Sequence, residues 1–411
     1  MSTEVVDTVF SSEPLQDFQP REDARRVCDE LQPLLIEVRR HLRMHPEVGF
    51  QEFETSKYIR SVLEAHGFEP VTIAETGLYV DIKGDQPGPT VAYRADIDAL
   101  PSQDEILAPY ASRTPGVGHL CGHDAHTSMG IGVALLLNRL RSYIKGTVRV
   151  FFQPNEEGMP SGAPELMKEG ILDNVSAAYA VHVDPTVDSG SYGLIAGAAT
   201  AAADRFDVIV DSKTTGHSAR PHNTVDTVWV ATQIANTLYQ LSGRVTDPRH
   251  PSILTVCRFQ AGRAYNVIPS SVTLGGTLRC TDHNVRKQLK DRLIHTAVDI
   301  GETAGVEVRV EYHDGAPPVI NDPSLISRIG ATIRNIGNAD NAEYLELPSM
   351  GAEDFAHYLV YVPGAMVRVG TRRDQTTSFP LHDANFDIDE SVLAPAAYLM
   401  TNVLLDYLSP Q

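Results

Sequence analysis

Cysteine, histidine and aspartate are concentrated in one short segment of the chain, GHLCGHDAH, residues 118–126. It contains three of the 15 histidines and one of the 4 cysteines. A thiolate with neighbouring imidazoles and carboxylates suits a borderline-soft divalent ion such as Zn²⁺, with Mn²⁺, Co²⁺ and Ni²⁺ as alternatives. The same residue types also occur around reactive cysteines and in polar loops, so the segment alone leaves three interpretations open.

Further acidic and imidazole side chains follow in short clusters along the chain. They are Asp96 and Asp98 of RADID, the adjacent Glu156 and Glu157, then His182 and His382. Neighbouring side chains of an extended segment point to opposite sides, so one of the two glutamates can bind metal while the other faces substrate. Metal-assisted hydrolysis needs this division, because the metal acidifies a water molecule and a nearby carboxylate accepts its proton.

The elements expected around these clusters alternate between helices and strands. Apolar residues at helical spacing predict helices over 22–43, 53–66 and 125–144. Strand-like runs occupy 90–96, 147–153 and 177–183. This alternation is typical of a largely parallel α/β sheet, and open parallel sheets bind ligands at the carboxyl ends of their strands. Since most of the clusters follow or end strands, we expect them to converge at one edge of the sheet.

The order of elements changes near residue 200. A strand, a helix, two strands, a helix and a strand follow between residues 204 and 312, which is typical of the split βαββαβ, or ferredoxin-like, unit. The α/β alternation resumes after Pro317-Pro318. The sequence therefore predicts a discontinuous α/β catalytic domain, residues 22–199 and 315–411, with a smaller α+β domain, residues 200–314, inserted into it.

Composition excludes several classes of protein. The net charge is −19, and without a basic patch we expect no nucleic-acid partner. Neither a secretory signal nor a long apolar run is evident, so we expect no membrane span, and the first 20 residues are expected to form a loose leader. Four scattered cysteines form no disulfide framework, which favours a cytoplasmic protein with reduced thiols.

A series of eight motifs resembles, in order, that of the M20 metallopeptidase superfamily, and most closely its amidohydrolase branch. This branch includes aminoacylases, hippurate hydrolases and plant indole-acetyl-amino-acid hydrolases. The motifs are RADIDALP, HLCGHDAHTSMGIGVA, FFQPNEEG, AVHVDP, GHSARPHNTVD, YNVIP, GAEDFAHY and LHDANFDIDE. The resemblance covers about residues 35 to 405.

The resemblance implies a Zn-peptidase-like catalytic domain that binds two divalent metals per subunit, with Mn²⁺ or Zn²⁺ expected. It also implies that the inserted domain is a lid through which subunits form a homodimer. The metal ligands carried over by motif are Cys121, His123, Glu157, His182 and His382. Glu156 would be the general base, and Asp98 would orient a histidine ligand from outside the metal's own coordination shell.

Residues of the inserted domain are expected to bind substrate. The resemblance implies that His217 reaches the partner subunit's active site and steadies the oxyanion of the tetrahedral intermediate, with Asn266 helping in the same region. Arg279 or Arg220 would pair with a substrate carboxylate, because a guanidinium binds carboxylate bidentately. His222 is grouped with these substrate-binding residues.

Two departures from the family pattern bear on the substrate. Asn155 stands where the branch usually has Ala or Gly, and Leu381-His382-Asp383-Ala384 replaces a common His-His-Pro run. The predicted function is metal-dependent hydrolysis of a non-peptide carbon–nitrogen bond, the amide of an N-acyl amino acid or aryl amide. The departures keep open the hydrolytic deamination of an electron-poor aromatic amine of the aminobenzoate type. A non-catalytic metal-binding scaffold and a cysteine-nucleophile enzyme are the remaining alternatives.

Overall fold

A computed structural model describes residue 8, residues 10–337 and residues 339–409. The chain forms two compact units. The first comprises Met1–Gly197, Ile320–Leu347 and His357–Gln411, and the second Ala198–Val319 and Pro348–Ala356. The units divide within a few residues of the boundaries expected from the sequence, 199/200 and 314/315, and the short segment 348–356 groups with the second unit.

The described residues contain nine α-helices and sixteen strands. The helices are α1 Pro20–Met44, α2 Phe53–Ala65, α3 His123–Arg139, α4 Gly162–Lys168, α5 Thr227–Leu238, α6 His283–Ala304, α7 Pro323–Ile336, α8 Ala356–Leu359 and α9 Leu393–Leu408. The strands are β1 Val71–Ile73, β2 Gly77–Lys83, β3 Gln86–Asp96, β4 Lys145–Gln153, β5 Val175–Asp188, β6 Tyr192–Leu194, β7 Gly197–Ala198, β8 Ala202–Asp211, β9 Gly216–His217, β10 Ser252–Gln260, β11 Val267–Ile268, β12 Ser271–Cys280, β13 Glu307–His313, β14 Ile320–Asn321, β15 Ala342–Tyr344 and β16 Gly364–Arg372.

The first unit is built on an eight-stranded sheet in the order β1-β2-β4-β3-β5-β16-β6-β15. Its central strands β4, β3, β5 and β16 are parallel, as the sequence predicts. In this register Asp96 lies beside Gln153, the last residues of β3 and β4. The RADID and QPNEEG segments therefore leave the sheet at the same edge.

Helix α3 packs between the sheet and helices α1 and α9, and nearly all of its residues are buried. Two glycines allow this close packing. A Cβ at Gly130 would lie 2.9 Å from the Cβ of Ala95 on β3, and one at Gly132 would lie 2.9 Å from the Cβ of Ala397 on α9. Since real Cβ atoms do not approach so closely, the GIG spacing lets α3 lie against both neighbours and fixes its first turn at the strand edge.

The second unit has the βαββαβ order that the sequence predicts. Strands β8, β10, β12 and β13 form an antiparallel sheet in the order β10-β12-β8-β13, which is the ferredoxin-like arrangement. Asp226 begins α5 by accepting hydrogen bonds from the backbone N–H groups of Val228 and Trp229. Asp282 begins α6 in the same way. These caps explain why each helix starts directly after an aspartate.

Two segments differ from the sequence expectation, and one further stretch bears on the expectation that no segment spans a membrane. Residues 1–7 and 9 of the expected leader lie outside the described residues, but Phe10, Leu15 and Phe18 are buried in the core, because their apolar side chains find partners there. Helix α3 starts at His123 and ends at Arg139, and a short 3₁₀ turn replaces its expected last turn. One described stretch, Glu390–Leu408, is long and apolar enough to cross a membrane, and 78% of it is buried inside the protein.

Candidate metal centre

The turn before α3 carries two of the predicted ligands. Cys121 lies in this turn and His123 is the first residue of the helix. Gly122 between them has φ +83°, and a Cβ there would lie 2.4 Å from Cγ2 of Val183. A left-handed backbone pressed against β5 requires glycine, so the CGH sequence fixes the turn that holds both side chains at the sheet edge.

His123 is held in one orientation by Asp98. Its Nδ1 lies 2.9 Å from the backbone oxygen of Asp98 and 3.2 Å from Oδ1 of the same residue. These contacts place one proton on Nδ1, so Nε2 carries the lone pair when the ring is neutral. Nε2 is buried and has no hydrogen-bond partner among the described residues. A buried nitrogen without a partner is costly unless a ligand binds it.

His182 faces the cysteine. Its Nδ1 donates to the carbonyl oxygen of Val183 at 2.7 Å, so its Nε2 is the acceptor. This Nε2 lies 3.6 Å from Sγ of Cys121, and both residues are buried. The arrangement presents an imidazole lone pair and a sulfur atom to the same point, as a metal ion requires.

Glu157 and His382 lie on the other side of the cysteine. Nε2 of His382 is 3.1 Å from Oε1 of Glu157, an oxygen that makes no geometrically acceptable hydrogen bond with described residues. His382 adopts φ +69°, and its backbone N–H donates to the carbonyl oxygen of Leu120 at 2.8 Å. That bond ties the C-terminal segment to the turn carrying Cys121.

The potential ligand atoms form two sets that share one residue. In the first, atoms of Cys121, His123 and His182 lie within 4.8 Å of one another, and in the second, atoms of Cys121, Glu157 and His382 do. The common thiol lies between the two sets. All five residues carried over as ligands from the motifs are thus brought together, whereas their assignment as ligands stays a prediction.

Electrostatics also favour a cation here. Burial disfavours the charged form of His123, but the carboxylates of Asp96 and Asp98 outweigh burial and raise its pKa well above the usual range. Burial and the carboxylate of Glu157 raise the pKa of the Cys121 thiol. Burial, helped by His126, lowers the pKa of His182, which keeps it neutral and able to bind metal. The centre holds excess negative charge, which a divalent ion would offset.

Glu156 lies beside His123 at the centre. Its Oε2 lies 4.0 Å from Nε2 of His123, and its side chain is 10% exposed, against 1% for His123. Atoms of Glu156, Glu157 and His123 also lie within 4.8 Å of one another. The two adjacent glutamates therefore both reach the centre, and Glu157 alone is grouped with Cys121 and His382.

Asp98 contacts both His123 and the segment that carries the two glutamates. Its Oδ2 accepts the backbone N–H of Glu157 at 3.0 Å while Oδ1 faces His123. Sequence analysis did not assign a role to Asp96, whose Oδ1 lies 2.7 Å from Nδ1 of His126. Nε2 of His126 accepts the backbone N–H of Val183 at 2.9 Å, so this histidine braces β5. The sequence feature that could have indicated the contact with His126 is Asp96, the first aspartate of RADID.

The substrate-binding residues predicted in the second unit lie mostly on one exposed loop region. His217 of β9 is paired with Val267 of β11, and the N–H of Ser218 donates to the carbonyl oxygen of Asn266 at 3.0 Å. His217, Asn266, Arg220 and His222 are all exposed. Arg279 lies apart on β12, where its Nη1 donates to the carbonyl oxygen of Met350 at 2.8 Å. The structure thus brings His217 and Asn266 together and gives Arg279 a backbone partner.

The chain resembles proteins of known family. Residues 92–406 match the model of peptidase family M20/M25/M40. The chain is 37% identical over 372 residues to N-acetyl-L-cysteine deacetylase of Bacillus subtilis (strain 168), covering 90% of this chain and 87% of the relative. It is 37% identical over 302 residues to N-acyl-L-amino acid amidohydrolase of Geobacillus stearothermophilus, covering 73% of this chain and 81% of the relative.

A solved structure supports the same assignment. The YXEP protein of Bacillus subtilis, a dinuclear metal-binding peptidase from family M20, superposes with a TM-score of 0.82 at 33% identity. The match covers 92% of this chain and 99% of that one. The mixed α/β fold predicted from the sequence is confirmed by this likeness. The chain belongs to peptidase family M20/M25/M40 and is a metal-binding hydrolase of carbon–nitrogen bonds.

Proposed function

We propose that the protein hydrolyses the amide bond of N-acyl amino acids with the help of two divalent metal ions. The observation that carries the proposal is the membership of Cys121 in two three-residue ligand sets, with Glu156 beside them. One ion would be held by Cys121, His123 and His182, and the other by Cys121, Glu157 and His382. When bound, such ions supply Lewis acidity for the carbonyl oxygen and lower the pKa of water.

Glu156 is the general base of this reaction. Its carboxylate lies within 4.8 Å of ligand-type atoms of His123 and Glu157, so it would be close to a water molecule activated at the centre. It takes a proton from the attacking water and delivers it to the departing nitrogen, so that the amine leaves neutral. Glu157 is grouped instead with Cys121 and His382, and this difference in neighbours gives the two adjacent glutamates different tasks.

His217 donates a hydrogen bond to the oxyanion. The backbone N–H of Ala219 donates to Nδ1 of His217 at 3.1 Å, so the neutral ring carries its proton on Nε2. The exposed Nε2–H is therefore a ready donor for the tetrahedral intermediate in the partner subunit's site. Asn266 adds a side-chain amide beside it, and Arg220, Arg279 and His222 provide positive or polar groups for a substrate carboxylate.

The second unit forms a homodimer through strand β10. Among the described residues, no further strand pairs with either edge of its sheet, but β13 carries the charged residues Glu307, Arg309 and Glu311, which discourage pairing with another strand. Strand β10 has one charged residue in its SILTVCRFQ sequence, and its Ile253 and Phe259 are exposed. Exposed apolar residues on an unprotected edge favour pairing with a second copy of the chain.

The types of donor atom indicate which metal ion binds and which cellular compartment suits the protein. A thiolate with imidazoles suits Zn²⁺, and carboxylate ligands also suit Mn²⁺, so we expect one of these two to be native, with Co²⁺ and Ni²⁺ as functional substitutes. The four cysteines are free. Because the thiol of Cys121 would have to stay reduced to hold metal, a cytoplasmic location fits the chemistry.

The alternatives receive less support. Relatives named for deacylation favour amide cleavage over deamination of an aromatic amine. A non-catalytic scaffold could lose a ligand candidate or Glu156 without consequence. This chain retains all of them, which favours an enzyme. Cys121 belongs to both sets of potential ligand atoms, which favours a metal-ligand role over that of a nucleophile.

A substrate screen tests the proposal. Metal-free protein is reconstituted with Mn²⁺ or Zn²⁺ and incubated with N-acetyl amino acids, dipeptides and aminobenzoates, and released amine is quantified. We expect amine release from N-acyl amino acids that chelators abolish and alkylation of exposed cysteines leaves intact. Ammonia release from aminobenzoate without amide cleavage, or no turnover of any compound by metal-replete protein, would contradict the proposal.

A further inference from the structure

The turn that carries both glutamates begins at Asn155, whose φ is +53°. This left-handed conformation is uncommon for residues other than glycine, and asparagine is among those that tolerate it best. The Asn155 side chain helps to hold it, because Nδ2 donates to the carbonyl oxygen of Pro160 at 2.7 Å. The backbone carbonyl oxygen of Asn155 accepts the N–H of Gly162 at 2.8 Å. Asn155, which replaces the usual Ala or Gly, thus adds a side-chain hydrogen bond within the turn.

The same turn is anchored from outside by Glu52. Oε1 of Glu52 accepts the backbone N–H of Asn155 at 2.9 Å, and Oε2 accepts the hydroxyl of Thr76 at 2.8 Å. Glu52 and Thr76 are both fully buried. Burial raises the pKa of Glu52 to about 7, so keeping a carboxylate here is unfavourable in itself. A costly buried group with both oxygens in use has a specific task.

The space around Asn155 leaves little room for the turn to shift. A Cβ at Gly49 would lie 1.8 Å from Oδ1 of Asn155, and one at Gly158 would lie 2.0 Å from it. The segment that precedes Glu52 therefore packs directly on the turn. The start of the turn is held by this packing and by the hydrogen bond that the Asn155 N–H donates to Glu52, while Asp98 accepts the N–H of Glu157 further along.

We propose that Glu52 is a positioning residue for the Glu156–Glu157 pair, acting through the backbone of Asn155. The inference rests on the proposed function, because it assumes that Glu156 is the base. The base follows directly after the anchored N–H, so loss of the anchor moves its carboxylate relative to substrate. A displacement of about 1 Å in such a group costs roughly 100-fold in rate.

Three substitutions of Glu52 distinguish positioning through its hydrogen bond from an effect of its negative charge. Glu52→Gln keeps the length and an acceptor oxygen for the Asn155 N–H but removes the charge. Glu52→Asp keeps the charge but shortens the reach, and Glu52→Ala removes both. Glu47→Ala is the matched control, since Glu47 accepts the backbone N–H of Thr55 at 2.8 Å in the same region without contacting the turn.

The variants are compared by kcat and KM on an N-acetyl amino acid at saturating Mn²⁺ or Zn²⁺, with thermal unfolding and bound metal recorded. We expect Glu52→Gln to keep most of the wild-type kcat. We expect Glu52→Asp and Glu52→Ala to lose about 10- to 100-fold in kcat with KM little changed. Hydrogen exchange of the peptide spanning 151–160 should be faster in those two variants, and Glu47→Ala should keep both kcat and exchange.

Two results would overturn the inference. One is a Glu52→Asp enzyme that retains kcat while Glu52→Gln loses it, which would indicate an effect of charge. The other is wild-type kcat and exchange in Glu52→Asp and Glu52→Ala. If Glu52→Ala does not fold, the Gln and Asp variants decide between these outcomes.

Glu156→Gln, assayed in parallel, separates this inference from the proposed function. Wild-type turnover by that variant would refute Glu156 as the base. An inactive Glu156→Gln together with fully active Glu52→Asp would refute only the positioning role. Exchange of the 151–160 peptide tests the anchor even if the chosen substrate is not turned over.

Discussion

Replacing Asp98 by Asn should weaken metal binding although it keeps the shape of the side chain. Both carboxylate oxygens face donors, with Oδ1 3.2 Å from Nδ1 of His123 and Oδ2 3.0 Å from the backbone nitrogen of Glu157. An asparagine amide offers one acceptor, so its NH₂ group must face one of these donors. The variant therefore loses one hydrogen bond and gains one contact between two donors.

The size of the effect follows from this mismatch. A buried hydrogen-bonding group left without its partner costs about 1–3 kcal/mol, which corresponds to roughly 5- to 150-fold in an equilibrium constant. Substitutions of groups that orient metal ligands cost about 10- to 100-fold in metal affinity, which agrees with that range. We therefore expect the metal dissociation constant of Asp98→Asn to rise by about 10- to 100-fold.

Competition with a chromogenic chelator measures this change, and thermal unfolding checks that the variant is folded. Asp81→Asn is the matched control, because Asp81 on β2 pairs with Arg149 on β4 at 2.8 Å and belongs to none of the groups of ligand candidates. This control should bind metal as the wild type does. Unchanged metal affinity in a folded Asp98→Asn protein would refute the orienting role of Asp98.

Three further predictions concern stability and assembly. Burial, helped by His45, lowers the pKa of His41 to about 4, so below about pH 6.5 the unfolded chain binds more protons than the folded one. The free energy of unfolding should therefore fall as pH drops from about 6.5 to 4. His41→Gln should flatten that decline in urea titrations. Gly122→Ala should lower both the melting temperature and metal content, because its Cβ meets β5 and its backbone is left-handed; unchanged metal content would contradict this. Phe259→Glu should convert dimers to monomers in sedimentation velocity, while Tyr361→Glu, an exposed position in the first unit, should leave dimers intact; dimeric Phe259→Glu would exclude β10 as the interface.

Much of the fold was predictable because its signals are local. Hydrophobic periodicity located α1 and α2, and the strand-helix alternation predicted the parallel strands that place Asp96 and Gln153 side by side. The order of elements after residue 200 likewise predicted the βαββαβ unit. Helix α3 was expected to run on to residue 144, because apolar residues continue beyond Arg139 and nothing in the local pattern marks its end.

The site was predictable in its residue types but not in its supporting contacts. Chemistry-bearing residues such as Cys121 and Glu157 stand out by type and by motif. Glu52 does not, because a lone glutamate before a helix is usually solvated, and only the tertiary structure brings it to Asn155, 103 residues away. The sequence predicted a supporting role for His126 rather than a ligand role, but its partners, Asp96 and a backbone N–H, emerged only from the tertiary structure.

The division of labour between Glu156 and Glu157 is the central claim, and parallel measurement of bound metal and turnover in two variants tests it most directly. Glu156→Gln should retain the metal content of the wild type while amine release from an N-acyl amino acid falls by about 100- to 10,000-fold. Glu157→Gln should lose bound metal together with activity. Wild-type turnover by metal-replete Glu156→Gln, or the same loss of metal in both variants, would contradict the account.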